Sequence, residues 1–130
     1  MYKILVVDDK LEIVKLLEIF FTKKGFEVVT ALGGEKAIEI LHSETKIDLM
    51  VLDMKMPLIR GMDVLKEMKK LNKGWPVIIL SGSIDMEKYI KELKDLGYHQ
   101  SHYLIKPVDL DLLLDTVKKI LNPDFERDKC

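Results

Sequence analysis

The sequence predicts a doubly wound α/β domain, a five-stranded parallel sheet in the order 2-1-3-4-5 with helices on both faces. Three observations predict it. Short apolar runs rich in β-branched residues alternate five times with longer stretches whose apolar residues recur three or four apart. Such strand–helix alternation gives parallel strands joined by right-handed crossovers. The runs Ile4–Val7, Leu49–Leu52 and Val77–Leu80 are apolar almost throughout, as strands covered by helices on both sides must be. Among doubly wound orders for five strands, 2-1-3-4-5 is a common one.

The elements follow in order. Ile4–Val7 reads as the first strand, and Ile13, Leu16, Leu17, Phe20 and Phe21 as the buried face of the first helix, ended by Gly25. Phe26–Val29 is the second strand, followed by a helix with Ala37, Ile38 and Leu41 inward. Ile47–Leu52 is the third, followed by Val64, Leu65, Met68 and Leu71. Val77–Leu80 is the fourth, followed by Met86, Tyr89, Ile90, Leu93 and Leu96, ended by Gly97. Tyr103–Ile105 is the fifth, followed by Leu110, Leu113, Leu114, Val117, Ile120 and Leu121. Residues 1–122 therefore form one domain, and 123–130 a short polar tail expected to fray.

Composition narrows the function classes. A chain of 130 residues with 48% hydrophobic residues can bury a real core and is not disordered. Its 21 basic and 22 acidic residues give a net charge of −1, with no general drive toward nucleic acid or an anionic membrane. The single cysteine, Cys130, excludes an intrachain disulfide or a cysteine-based metal site. No apolar run is long enough to span a bilayer, and Asp8 and Asp9 break the first one too early for a signal peptide. A cytoplasmic domain without direct nucleic-acid or membrane contact is expected.

In an open α/β sheet the site lies beyond the carboxyl ends of the strands. There the sequence places Asp8, Asp9 and Lys10 after strand one, Thr30 and Ala31 after strand two, and Asp53 after strand three. Ser81 and Gly82 follow strand four, and Lys106 and Pro107 strand five. Three carboxylates in one crevice repel, and a divalent cation relieves that repulsion. All-oxygen ligation suits a hard, partly hydrated ion such as Mg²⁺, whose usual partner is phosphate. Asp53 would then be a nucleophile forming an acyl phosphate, with Lys106 and Ser81 contacting phosphoryl oxygens. Taken singly, each feature has a plainer reading: Asp8 or Asp9 as a helix N-cap, Ser81-Gly82 and Lys106-Pro107 as turns. Their convergence on one edge favours chemistry.

The ordered set Asp8-Asp9, Asp53-Met-Lys-Met-Pro57 with Gly61, Ser81-Gly82 and Lys106-Pro107 resembles the receiver domains of bacterial two-component response regulators, over residues 2 to about 121. The resemblance implies a flavodoxin-like (βα)5 fold. It also implies that Asp53 accepts a phosphoryl group from a phosphohistidine on a sensor histidine kinase or phosphotransfer protein. Asp9 and Asp53 would ligate Mg²⁺ directly, Asp8 mainly through water, and the Lys55 backbone carbonyl would complete the protein ligands. Lys106 would pair with Asp53 at rest and with the phosphoryl group afterwards. Ser81 and the switch aromatic Tyr103 would carry the change to the face of the fourth helix, fifth strand and fifth helix, and Lys106–Pro107 would be cis. A phosphoryl group adding about −1.5 to −2 charges would favour one of two loop arrangements. An effector domain or protein would read that face, and a phosphorylation-dependent homodimer is a further expectation.

Some residues depart from that pattern or compete with it. Tyr98 stands where receivers usually have a small residue, and the segment Gly97–His102 is longer than usual. His99 and His102 read as loop residues, since two histidines without a third ligand make a poor metal site. Lys55 and Ser83 occupy positions that tune dephosphorylation in the family. The cluster Met50, Met54, Met56, Met62 and Met68 reads as core at Met50 and Met68, with a Met-rich surface as the minor alternative. Lys88, Lys91 and Lys94, mixed with Glu87, Glu92 and Asp95, read as a solvated helix face. The alternative activity is a Mg²⁺-dependent phosphohydrolase with an aspartyl nucleophile. A flavin binder is disfavoured because Asp8-Asp9 would repel its phosphate. The strand beginning at Tyr2 is expected to mark the natural N-terminus, with the output in a partner or in further chain.

Overall fold

The computed structural model describes residues 1–98 and 102–122, in which strands and helices alternate along the chain. The order is β1 (Lys3–Asp8), α1 (Leu11–Lys23), β2 (Glu27–Leu32), α2 (Gly34–Leu41), β3 (Leu49–Asp53), α3 (Gly61–Lys70), β4 (Val77–Ser81), α4 (Ser83–Asp95), β5 (Tyr103–Ile105) and α5 (Leu110–Leu121). The strands form one parallel sheet in the predicted order β2-β1-β3-β4-β5.

Alternation of side chains across the pleat splits the core into two layers. Leu5, Val7, Met50, Leu52, Val77 and Ile79 pack with residues of α2, α3 and α4. Ile4, Val6, Leu49, Val51, Ile78 and Leu80 pack on the other face with α1 and α5, through Leu17, Phe21, Leu113 and Val117. The central strands β3 and β4 are buried along their whole length, whereas edge strand β2 is mostly half-exposed. This difference is why the middle runs read clearly in the sequence.

Helix ends are set locally. Gly25 and Gly97 take positive φ after α1 and α4, and the next N–H in each case reaches back to Phe21 and Leu93. Asn72 (φ 56°) does the same after α3, where Lys73 N–H donates to the Met68 carbonyl. Asp109 caps α5, its carboxylate accepting from Asp111 and Leu112 N–H.

The structure corrects three expectations. Leu16, placed on the buried face of α1, is 48% exposed, and Val14 is buried instead. Val14, Leu17 and Phe21 are spaced three and four apart, while Leu16 sits a full 100° from Leu17. Thr30 and Ala31 do not follow β2 but lie within it, because pairing with β1 continues to Asp8↔Leu32. Met54, Met56 and Met62 join Met50 and Met68 in the core, so these five methionines do not form a Met-rich surface. Lys88, Lys91 and Lys94 are exposed, as a solvated face requires. The side chain of Ser83, His99 and the tail 123–130 lie outside the described residues. Among the described residues no helix is long and apolar enough to cross a membrane.

Candidate functional site

Sheet register brings the polar residues together. Val7 pairs with Leu52, so the next residues, Asp8 and Asp53, end β1 and β3 side by side. Asp53 pairs with Leu80, and Ser81 then ends β4. Ser81 pairs with Ile105, and the Lys106 N–H donates to the Ser81 carbonyl at 2.9 Å, fixing the root of the Lys106 side chain beside the acids. The Lys106–Pro107 peptide is cis.

Asp8, Asp53 and Ser81 are each only 1% exposed. Their burial makes the hydrogen-bond inventory decisive, because a buried charge needs a partner. Lys106 Nζ donates to Asp53 Oδ1 at 2.8 Å and stands 3.6 Å from Asp8 Oδ2. The Lys55 N–H is 3.4 Å from the same Asp53 oxygen. Lys10 N–H donates to Asp8 Oδ1 at 2.9 Å. Four buried oxygens still have no hydrogen bond: Asp8 Oδ2, Asp9 Oδ1, Asp53 Oδ2 and Ser81 Oγ.

The carboxyl of Asp8 is held above the usual carboxylate range. Burial is the main cause, and the charge of Asp53 adds to it; the Lys10 N–H and the Lys106 and Lys10 ammoniums oppose it. Neither acid caps α1, whose N-cap is Lys10 without a side-chain cap bond, so the plainer reading of Asp8 and Asp9 does not hold.

One oxygen from each of Asp8, Asp9 and Asp53 lies within 4.8 Å of the other two. Three carboxylate oxygens that close fit a hard divalent cation well. Lys55 is exposed in the loop that follows β3. That loop folds back tightly: Gly61 N–H donates to the Met54 carbonyl, and a Cβ on Gly61 would stand 2.7 Å from the Asp53 carbonyl oxygen.

A family model described as the response regulator receiver domain matches residues 4–118. The chain belongs to the response regulator receiver family. It is 41% identical over 121 residues to sporulation initiation phosphotransferase F of Bacillus subtilis (strain 168), covering 92% of this chain and 93% of that protein. It is 33% identical over 118 residues to the transcriptional regulatory protein GlrR of Escherichia coli (strain K12), covering 91% of this chain but only 26% of that protein. A response regulator receiver domain from Clostridium thermocellum superposes with a TM-score of 0.83 at 34% identity, covering 95% and 97% of the two chains. The response regulator TrrA of Thermotoga maritima, in complex with Mg²⁺ and BeF, superposes with a TM-score of 0.77 at 34% identity, covering 93% and 100%. The chain is thus a receiver in phosphorylation-activated signalling, with a CheY-like, flavodoxin-like fold.

Tyr103 begins β5 in this receiver, at the opposite end of that strand from Lys106. It pairs with Ile79 at the start of β5, is half-buried, and donates its hydroxyl to the Tyr98 carbonyl at 2.9 Å. Burial pushes its hydroxyl pKa upward, and that of Tyr98 up to about 12. The sequence reading gave Lys10 no role, yet its ammonium stands 3.6 Å from Asp9 Oδ1. Its place directly after two acids was the available signal.

Proposed function

We propose that Asp53 is the phosphoryl acceptor of this receiver and that Asp8, Asp9, Asp53 and the Lys55 carbonyl hold Mg²⁺. The observation that carries the reading is the asymmetry of the Asp53 carboxylate. Oδ1 is held by Lys106, and buried Oδ2 accepts no hydrogen bond, leaving a lone pair for attack. In the transfer, an Asp53 oxygen forms a bond to phosphorus while the bond from phosphorus to the donor histidine nitrogen breaks, and the electron pair leaves with the imidazole. Bound Mg²⁺ supplies positive charge that offsets the phosphoryl oxygens.

The chain's own residues do the rest. Lys106 holds Asp53 oriented before transfer and pairs with the phosphoryl group after it. Ser81 Oγ donates a hydrogen bond to that group, drawing the β4–α4 loop inward. Tyr103 transmits the movement to the α4–β5–α5 face, which an effector domain or protein reads; a phosphorylation-dependent homodimer would use the same face. Phosphotransfer and dephosphorylation are self-catalysed, and the chain regulates rather than turns over substrate. The donor is a sensor histidine kinase or a phosphotransfer protein, in the cytoplasm.

Incubation with Mg²⁺ and a small phosphodonor, followed by intact mass measurement, tests the reading. One added phosphoryl mass is expected, and none in Asp53→Ala. Either no gain in the wild type or a gain that survives the substitution overturns it.

A further inference from the structure

The acid pocket is flanked by two ammonium groups that reach it from opposite sides. Lys106 enters from the end of β5 and is committed to Asp53 and Asp8. Lys10 enters from the β1–α1 junction and faces Asp9, with Nζ 3.6 Å from Oδ1. That oxygen is buried and accepts no hydrogen bond, so the ammonium is its electrostatic partner.

The two lysines differ in mobility of charge. The Lys10 backbone is pinned: its N–H donates to Asp8 Oδ1, and its carbonyl accepts from Ile13 and Val14 N–H as α1 begins. The side chain beyond it is 53% exposed, so the ammonium has water to move into and is held at Asp9 by charge alone. Lys106 has 31% of its side chain exposed and a direct 2.8 Å bond to hold it.

We propose that Lys10 is a displaceable counter-ion that competes with Mg²⁺ for Asp9 and thereby lowers the affinity of the acid pocket for the ion. The proposal rests on the reading that these acids hold Mg²⁺. A cation entering at Asp9 meets the Lys10 charge at close range and must push it aside. The penalty is the loss of the Lys10–Asp9 attraction, two unit charges 3.6 Å apart in a water-like dielectric, worth about a fivefold change in binding constant. The same field raises the Lys10 ammonium pKa, with Asp9 the largest cause and Asp8 and Asp53 adding to it.

Calorimetric titration of Mg²⁺ into the wild type, Lys10→Gln, Lys10→Arg and Lys88→Gln provides the test. Lys10→Gln is expected to bind about fivefold more tightly at low salt, with the gap narrowing in 1 M KCl as the charge is screened. Lys10→Arg and the distant α4 variant Lys88→Gln should keep wild-type affinity. Equal affinities for wild type and Lys10→Gln overturn the proposal and leave the Mg²⁺ reading intact, as does equal tightening in Lys88→Gln, which would reduce the effect to net charge. No Mg²⁺ binding by the wild type overturns the Mg²⁺ reading and the proposal with it.

Discussion

Lys106 Nζ lies 2.8 Å from Asp53 Oδ1 and 3.6 Å from Asp8 Oδ2, so one ammonium serves two buried acids at the ends of neighbouring strands. Lys106→Ala would strip both of that partner. Charged hydrogen bonds contribute about 1.5–3 kcal/mol, and the partial exposure of the lysine favours the lower end. Urea unfolding without Mg²⁺ should show a loss of about 1–2 kcal/mol, shrinking when Mg²⁺ is added. A loss unaffected by Mg²⁺ would mean that the ion does not share these carboxylates.

Asp8 gives a pH dependence of unusual sign for a carboxylate. Its folded pKa is raised above the ordinary 3.8, mainly by burial. Its contribution to stability is therefore complete below the unfolded value and is lost as pH rises through the folded one. At neutral pH without metal, the ionised group is a cost. Asp8→Asn should thus be more stable than wild type at pH 7 in chelator, and the advantage should vanish toward pH 3. Thermal melts at the two pH values check this, and an Asp8→Asn variant less stable at pH 7 would contradict it.

These electrostatics explain what was legible beforehand. The apolar runs of β1, β3 and β4 lie in the sheet interior, and burial on both faces leaves an unbroken sequence signal. Asp8, Asp53, Ser81 and Lys106 were visible because each punctuates such a run. The end of β2 was not, since an edge strand carries mixed residues and only pairing with β1 extends it to Leu32. Leu16 misled because its neighbours Ile13, Leu17 and Phe20 also fit a helical spacing; which stripe faces inward is decided by the sheet. Lys10 was hidden because nothing local distinguishes a lysine facing an acid pocket from one facing water.

The start of α3 offers a second pH effect, opposite in sign. The Asp63 carboxylate reaches back to accept the Arg60 backbone N–H at 2.9 Å, and this bond holds its pKa below 3.8. Its stabilisation is present above the unfolded pKa and is lost as pH falls through the folded one. Asp63→Ala should cost about 0.5–1 kcal/mol at pH 7, the lower range for a cap on a partly exposed side chain. Denaturant midpoints for variant and wild type should converge below pH 3; a constant gap would point to packing instead.

Gly61 ties the fold of the β3–α3 loop to the placement of Asp53. A Cβ there would stand 2.7 Å from both the Asp53 carbonyl oxygen and the Met54 Cα, which are backbone atoms without a rotamer to change. Gly61→Ala must therefore push the loop away or shift the end of β3. Overpacking of this kind costs about 1–3 kcal/mol. The shift would also move the Lys55 N–H and the Met54 carbonyl that Gly61 N–H now engages, both within two residues of Asp53. Stability and phosphorylation should consequently fall together: a lower urea midpoint, and slower mass gain from a small phosphodonor even at low temperature where the variant is fully folded. A variant that loses stability but phosphorylates at the wild-type rate would show that the loop can relax outward without disturbing the acceptor.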